Sequence, residues 1–456
     1  MTSRPVAAAD ATKQRGRNDR PAATVAAPRC AGGALEDHEL MAEDQEFNVT
    51  VPVLSADERF QDDAEDGVDD RQQHETLLAP NPGVSSESYP VGVLKPHKAC
   101  VGGATGGSWP GMTMKRAMPA DSPSLHDRLG RPLRDLRISV TDRCNFRCPY
   151  CMPGEVFGKD YAFLPRSEIL TFEEITRVVS VAARLGVTKV RLTGGEPLVR
   201  REIEGLVAMI AKVDGIELAL TTNGAALAAK AQALREAGLT RITVSLDSVD
   251  ETVFQAMNGV GVPLSRVLGG IAAAREAGFG PIKLNVVVKR GVNDDGLLDL
   301  ARFGRQHGHV VRFIEFMDVG TTNGWRLEDV VSAAEMLEII DAEFPLEPLD
   351  PHYRGEVARR YRYRDGGGEI GLISSVTQPF CHACTRARLS SDGKLFTCLF
   401  AATGYDLRTI LRTSGGDARL SALLSRVWRE RTDRYSEERS SLTSPRDRIE
   451  MSYVGG

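Results

Sequence analysis

The sequence predicts an α/β fold: a partial (β/α)6 TIM-like barrel with a C-terminal extension covering the barrel mouth. Three observations lead there. From Leu136 onward, short β-branched runs alternate with helical patterns, the mark of βα units around a parallel sheet. Six such units can be counted, short of the eight that close a barrel. Polar motifs (TDRCNFRC, GGEP, TTNG, DS and MDVG) fall just after the apolar runs, at the carboxyl ends where parallel folds place their chemistry.

In chain order, strands are expected at 136–140, 188–193, 216–221, 240–245, 282–288 and 310–316. Helical periodicity occupies 172–185, 201–213, 226–237, 250–257 with 264–277, and 294–307. A helix near 329–343 follows, then a segment, 352–410, with strand-like pieces at 369–374 and 386–398. These later parts are expected to close the barrel mouth. Three regions result: an extension over 1–120, the barrel over 121–325 and a C-terminal region over 326–456.

The extension is a different material. Its first 33 residues are rich in Ala, Arg and Pro, and residues 36–70 hold fourteen Asp/Glu against the single Arg59. Such a composition cannot bury enough apolar surface to offset ordering entropy, so disorder is expected. Met112, Met114 and Met118 also admit a start downstream of Met1. Asp10, Asp19 and the acidic block argue against a mitochondrial transit peptide, which is acid-poor, leaving a cytoplasmic location as the first expectation. Over the 456 residues, 42% are hydrophobic and the net charge is −5, enough for a sizeable core and no reason to expect nucleic acid as a partner. No apolar run approaches a membrane span.

The most informative motif is Cys144-Asn-Phe-Arg-Cys148-Pro-Tyr-Cys151, which supplies three thiolates from one tight loop. Structural zinc wants four ligands, usually from two separated pairs. A cubane iron–sulfur cluster also has four irons to ligate. Three thiolates leave one iron open for a substrate that can then receive an electron. A zinc knuckle completed by a distant residue is the weaker alternative. A second triplet follows, Cys381-His-Ala-Cys384 with Cys398, again one thiolate short, with a zinc site using His382 as its rival reading. Cys30 and Cys100 complete the eight cysteines and lie in low-complexity surroundings. Metal-type spacing argues against a disulfide framework.

Arg386 and Arg388 alternate on a short strand beside the second triplet and so share a face, where they can grip an anion bidentately. Lys189 and Arg191 alternate with apolar Val190 and Leu192, and Arg137, Lys283 and Arg312 interrupt other apolar strands. Charged residues are seldom fully buried unless paired. Five of them on four strands are expected to form a cationic lumen suited to a triphosphate. No P-loop is present to cradle phosphates by backbone.

The pairing of triplets, with TRARLS between the last ligands, resembles the MoaA family, the radical S-adenosylmethionine (SAM) GTP 3′,8-cyclases of molybdenum cofactor biosynthesis. LRISVTDRCNFRCPYCMP, KVRLTGGEPLVR, TTNG, VSLDS, FIEFMDVG and the terminal Gly455-Gly456 match as well, so the resemblance runs from about Asp127 onward. It implies a barrel of the radical SAM type and two [4Fe-4S] clusters, one on Cys144, Cys148 and Cys151 and one on Cys381, Cys384 and Cys398. It implies that SAM is bound by the first cluster, Tyr150, Gly194, Gly195, Glu196, Ser245 and Met317. GTP would be held by Arg137, Lys189, Arg191, Thr222, Lys283, Arg312, Arg386 and Arg388. Arg386, Arg388, Gly455 and Gly456 would serve catalysis, the last two as a tail reaching into the active site.

The implied course is abstraction of the ribose 3′ hydrogen by a 5′-deoxyadenosyl radical, then closure onto guanine C8. The implied partners are an external low-potential electron donor and a downstream cyclic pyranopterin monophosphate synthase, with a homodimer left open. Two alternatives compete: a peptide-modifying radical SAM enzyme, and an iron–sulfur electron carrier or zinc scaffold. The first usually has more cysteines in its C-terminal part, and the second gains from full ligation.

Overall fold

The structure is a computed structural model that describes residues 125–414, 416–439 and 448–455. The expected extension over 1–120 and the terminal Gly456 lie outside the described residues. Twelve strands form one mixed sheet in the order β12-β11-β10-β1-β2-β3-β4-β5-β6-β9-β8-β7, so the sheet has two free edges and is not closed. Its centre is six parallel strands in chain order: β1 (Asp135–Ser139), β2 (Lys189–Thr193), β3 (Glu217–Thr222), β4 (Arg241–Ser245), β5 (Lys283–Val288) and β6 (Val310–Glu315).

Each of these begins and ends within a residue of its expected place, because alternation of apolar and polar residues marks both faces. Burial follows that alternation along β1 and β2, where Leu136, Ile138, Val190 and Leu192 face the helices. The helix α1 (Phe172–Arg184) shows why the outer layer forms. Ile175, Val178, Val179 and Ala182 repeat at helical spacing and are buried. Thr171 and Glu174 make a reciprocal capping box at its start. Thr171→Ala removes about 1 kcal/mol of that helix's support.

The C-terminal part extends the sheet at both edges. β9 (Glu369–Ile373) runs parallel beside β6, and β8 (Arg359–Tyr363) and β7 (Leu346–Leu349) follow it antiparallel. β10 (Arg386–Leu389) runs parallel beside β1, followed by β11 (Lys394–Phe396) and β12 (Tyr405–Asp406). The single strand-like piece expected over 386–398 is therefore two strands. Ser390–Gly393 turns between them, with Gly393 at φ +86°. The helix expected from 329 starts at Ala333, where Ser332 caps it, after a short 3-10 turn at Leu327–Asp329. Among the described residues no helix is long and apolar enough to cross a membrane.

Candidate active site

The first triplet sits in the loop that leaves the carboxyl end of β1. Arg147 organises it: Nε donates to the Phe157 carbonyl at 2.6 Å, and Nη1 to the Cys144 and Phe146 carbonyls at 2.6 and 2.8 Å. The Cys148 carbonyl accepts from the amides of Cys151 and Met152, both at 2.9 Å, which winds the chain tightly between the second and third thiols. Tyr150 donates its hydroxyl to Asp247 Oδ2 at 2.8 Å, and Asp247 Oδ1 accepts the Val287 amide at 2.9 Å. The loop is thereby tied to the ends of β4 and β5.

The Gly194-Gly195-Glu196 segment after β2 clamps the same loop. The Gly195 amide donates to the Thr141 carbonyl at 2.8 Å and the Glu196 amide to the Arg143 carbonyl at 2.9 Å. A Cβ on Gly195 would stand 2.2 Å from the Arg143 carbonyl oxygen, so the glycine is required by the approach of one chain segment to another. The Glu196 carboxylate is 1% exposed and accepts from the Leu198 amide, the Thr222 hydroxyl and the Asn223 amide at 2.9, 2.7 and 2.7 Å. Burial pushes its pKa up to about 7 against the pull of those donors.

Thr222 differs from expectation in its place. It is buried, bonded to Glu196 and to the Gly224 amide, and stands away from the lumen. Strand parity is the reason. Thr221, its neighbour, lies on the inner face of β3 and accepts from Arg191 Nη1 at 2.9 Å.

The second triplet flanks the amino end of β10, next to the start of β1. Arg386 Nη2 lies 3.3 Å from Cys384 Sγ. Arg431, which no motif marks, donates to the Cys384 carbonyl at 2.8 Å and to Asp433 at 2.7 Å. Fully buried Arg131 donates to the Cys381 carbonyl at 2.8 Å and pairs with Asp127 at 2.5 Å. Burial pushes the Cys384 thiol up, but the guanidiniums of Arg386 and Arg431 outweigh it and bring the pKa down to about 6. His382 is largely exposed and faces Glu437, away from a ligand's role.

The two triplets thus lie at opposite ends of β1, separated by its five residues, on the order of 16 Å of strand. Between them is a cavity of about 1280 Å³. Arg137, Lys189, Arg191, Lys283, Arg312, Arg386, Arg388 and Met317 all line it, together with Cys381, Cys384 and Cys398. Ser245 does not line it but stands in register beside Asn285, which does. Burial holds Arg312 down to about 9 and Lys283 down to about 8, each further lowered by neighbouring cations.

Gly455 also belongs to this place. Its carbonyl accepts a short bond from Arg388, and the Val454 carbonyl lies 3.4 Å from the same guanidinium. A Cβ on Gly455 would stand 2.2 Å from Thr193 Cγ2 at the end of β2. The short helix Met451–Val454 before it is fixed by Tyr453, whose hydroxyl donates to Asp392 at 2.6 Å.

The first donor set fits an iron–sulfur cluster. All six thiols are free and half-buried. In the first triplet burial pushes Cys144 up to about 12, and Cys148 and Cys151 are raised as well, by burial and then by neighbouring negative groups, Cys144 and Asp247 among them. Three thiols in one another's field call for a multivalent cationic partner. Among the described residues no group of three His, Cys, Asp or Glu side chains is arranged to hold a single metal ion.

Residues 138–304 match the Radical SAM superfamily, and residues 309–437 match Molybdenum Cofactor Synthesis C. The chain is 54% identical over 358 residues to a GTP 3′,8-cyclase of Acidothermus cellulolyticus, covering 73% of this chain and 99% of that one. It is 49% identical over 337 residues to a GTP 3′,8-cyclase of Staphylococcus aureus, again covering 73% of this chain and 99% of that one. A crystal structure of Streptococcus suis SuiB bound to S-adenosylmethionine is a distant likeness, at 15% identity, TM-score 0.48 and 66% of each chain. Membership in the radical SAM superfamily brings with it SAM and a [4Fe-4S] cluster. On these matches the chain belongs to the MoaA-type GTP 3′,8-cyclase family.

Proposed function

We propose that this chain converts GTP to 3′,8-cyclo-7,8-dihydro-GTP, the first step of molybdenum cofactor biosynthesis. The observation that carries the reading is one cavity lined both by the second cysteine triplet and by the seven cations that the sequence singled out, Arg137, Lys189, Arg191, Lys283, Arg312, Arg386 and Arg388. A nucleoside triphosphate brings three to four negative charges, and a buried cation array is its electrostatic complement. The lumen cations hold the phosphates, and the second triplet is read as the site of a second [4Fe-4S] cluster at the guanine edge. When bound, the clusters and SAM supply one-electron radical chemistry at the ribose.

The protein's part is orientation, since a reactive carbon centre attacks whatever lies closest. Arg147 and the Gly194–Glu196 segment fix the first cysteine loop. Arg386 and Arg388 orient the substrate so that its guanine edge meets the second triplet, and Arg388 also holds the Gly455 carbonyl. Tyr150, Gly194, Gly195, Glu196, Ser245 and Met317 are assigned to SAM. For Glu196 that assignment falls on its remaining acceptor site and its backbone, because three internal donors occupy the carboxylate. Thr222 is reassigned from GTP to the support of Glu196.

Six parallel strands in chain order support reading the sheet as an open (β/α)6 partial barrel over 121–325, with 326–456 as a separate covering region. Residues 1–120 are proposed to be dispensable for turnover. An external low-potential electron donor, a downstream cyclic pyranopterin monophosphate synthase and a cytoplasmic location complete the proposal.

The deciding experiment is anaerobic incubation of reconstituted protein with GTP, SAM and dithionite, followed by acid–iodine oxidation. A fluorescent pterin is the expected outcome, and its absence with SAM cleavage intact would refute GTP as substrate. Arg386→Ala with Arg388→Ala should abolish the pterin and spare SAM cleavage by strong reductant.

A further inference from the structure

The cavity between the triplets meets solvent at the unexpected end of the sheet. Parallel-strand enzymes present their sites at the carboxyl ends of the strands. Here the carboxyl end of β1 carries the first cysteine loop, and Gly455 is wedged against Thr193 at the carboxyl end of β2. Among the residues that line the cavity, the exposed ones are Arg235, Thr240, Arg241, Gly280, Pro281 and His352. Five of these precede or open β4 and β5, so the mouth lies at the amino ends of the strands.

A chain of charge leads inward from that mouth. The Arg241 side chain is 52% exposed, and its Nε lies 3.3 Å from Glu217 Oε1. The same oxygen lies 3.3 Å from Lys189 Nζ, whose side chain is 15% exposed. Arg191 follows two residues deeper on the same face of β2, and it stands in register with Arg137. The cations therefore run Arg241, Lys189, Arg191, Arg137 from solvent to the middle of the lumen, with Glu217 as a counter-anion near the outer end.

The general field does not favour an anion here. The chain carries a net charge of −5, and the helix C-termini that precede β4 and β5 add partial negative charge at this end. A local row of cations at a narrow mouth overcomes that by focusing the potential.

We propose that this amino-end mouth, bounded by Arg235 and Arg241, is the route by which a nucleoside polyphosphate reaches the lumen, with Glu217 as the anion it displaces. The inference rests on the GTP reading above and adds a direction of approach to it. SAM and the substrate then arrive from opposite ends of the parallel strands, and neither blocks the other.

The test is stopped-flow binding of GTP carrying an N-methylanthraniloyl group on its ribose, to anaerobically reconstituted full-length protein at several salt concentrations. Arg241→Glu should slow association roughly three- to tenfold at low salt and flatten its salt dependence, with Arg241→Ala intermediate. Glu217→Gln should speed association, whereas a purely structural role for the Arg241–Glu217 pair would slow both variants. Arg326→Glu reverses an exposed charge after β6 and should leave the rate alone. Wild-type rates in Arg241→Glu and Glu217→Gln, or equal slowing in Arg326→Glu, would overturn the route while leaving GTP as the substrate. Wild-type protein that binds no labelled GTP would take down both readings.

Discussion

Arg137 on β1 stands directly across the ladder from Arg388 on β10, and Arg191 on β2 is its partner on the other side. Like charges placed opposite one another on neighbouring strands destabilise a sheet. Burial holds Arg137 well below the usual guanidinium range, and Arg388, Arg386 and Arg191 lower it further. Its two neighbours donate to neutral acceptors: Arg191 to the hydroxyls of Thr221 and Thr243, and Arg388 to the carbonyls of Val454 and Gly455. Asp135 offsets only part of this repulsion, so such a row of buried like charges favours an anion as its counter-charge.

Arg137→Met should therefore stabilise the ligand-free protein by about 1 kcal/mol, by removing repulsion from a buried row. The same change should weaken GTP binding about tenfold or more, since a charge-assisted bond to phosphate is lost. Thermal melts with and without GTP measure both effects. A variant that melts lower without ligand would show that the row is not strained.

The Gly195 contact predicts a local defect in metal content. Gly195→Ala places a methyl 2.2 Å from the Arg143 carbonyl oxygen, and that atom belongs to the backbone leading into Cys144. The first cysteine loop must move, while the second triplet at the other end of β1 is untouched. Iron per chain after reconstitution should fall from about eight to about four, as for loss of one of two cubanes. Full iron content in the variant would mean that the loop tolerates the shift.

Much of this was legible in the sequence because two periodicities are strong. β1 to β6 are short apolar or β-branched runs, and the Arg or Lys interruptions on β1, β2, β5 and β6 marked the lumen. The hairpin of β7 and β8 went unread for physical reasons. Pro348 lies inside β7, which an edge strand tolerates and a central one does not. Arg359, Arg360 and Arg362 make β8 look like a solvated loop. In the site, Thr221 and Thr222 could not be told apart, since the inner face of β3 is set by its register with β2 and β4. Arg431 and Asp247 act through contacts 47 and 97 residues away along the chain, to Cys384 and Tyr150. No local pattern encodes such partners.

The C-terminal tail gives a prediction of docking. Gly455→Ala should displace the tail, because the added methyl meets Thr193 and the φ of +73° is strained for alanine. Faster limited proteolysis after Met451 and reduced cyclisation should appear together, with SAM cleavage by strong reductant preserved. Proteolysis at the wild-type rate would show the tail still seated, and any lost activity would need another cause.

The pH dependence of GTP binding should carry the signature of Lys283. Burial, then the charges of Arg312, Arg241 and Lys189, bring its pKa down to about 8 in the ligand-free protein. The lowered value means that the ammonium is lost as pH rises through about 8, and phosphate binding favours the protonated form. Affinity for GTP should then weaken above pH 8, by up to about tenfold per pH unit, with a proton taken up on binding. The phosphate's own second ionisation, near about 6, is complete by then and adds nothing. Lys283→Arg keeps its charge around pH 8 and should flatten the fall there, leaving only the later loss at Arg312, which burial holds down to about 9. Calorimetric titrations between pH 7 and 9.5 in two buffers of different ionisation heat read both the affinity and the proton count. A wild-type profile as flat as that of Lys283→Arg would remove Lys283 from the phosphate site.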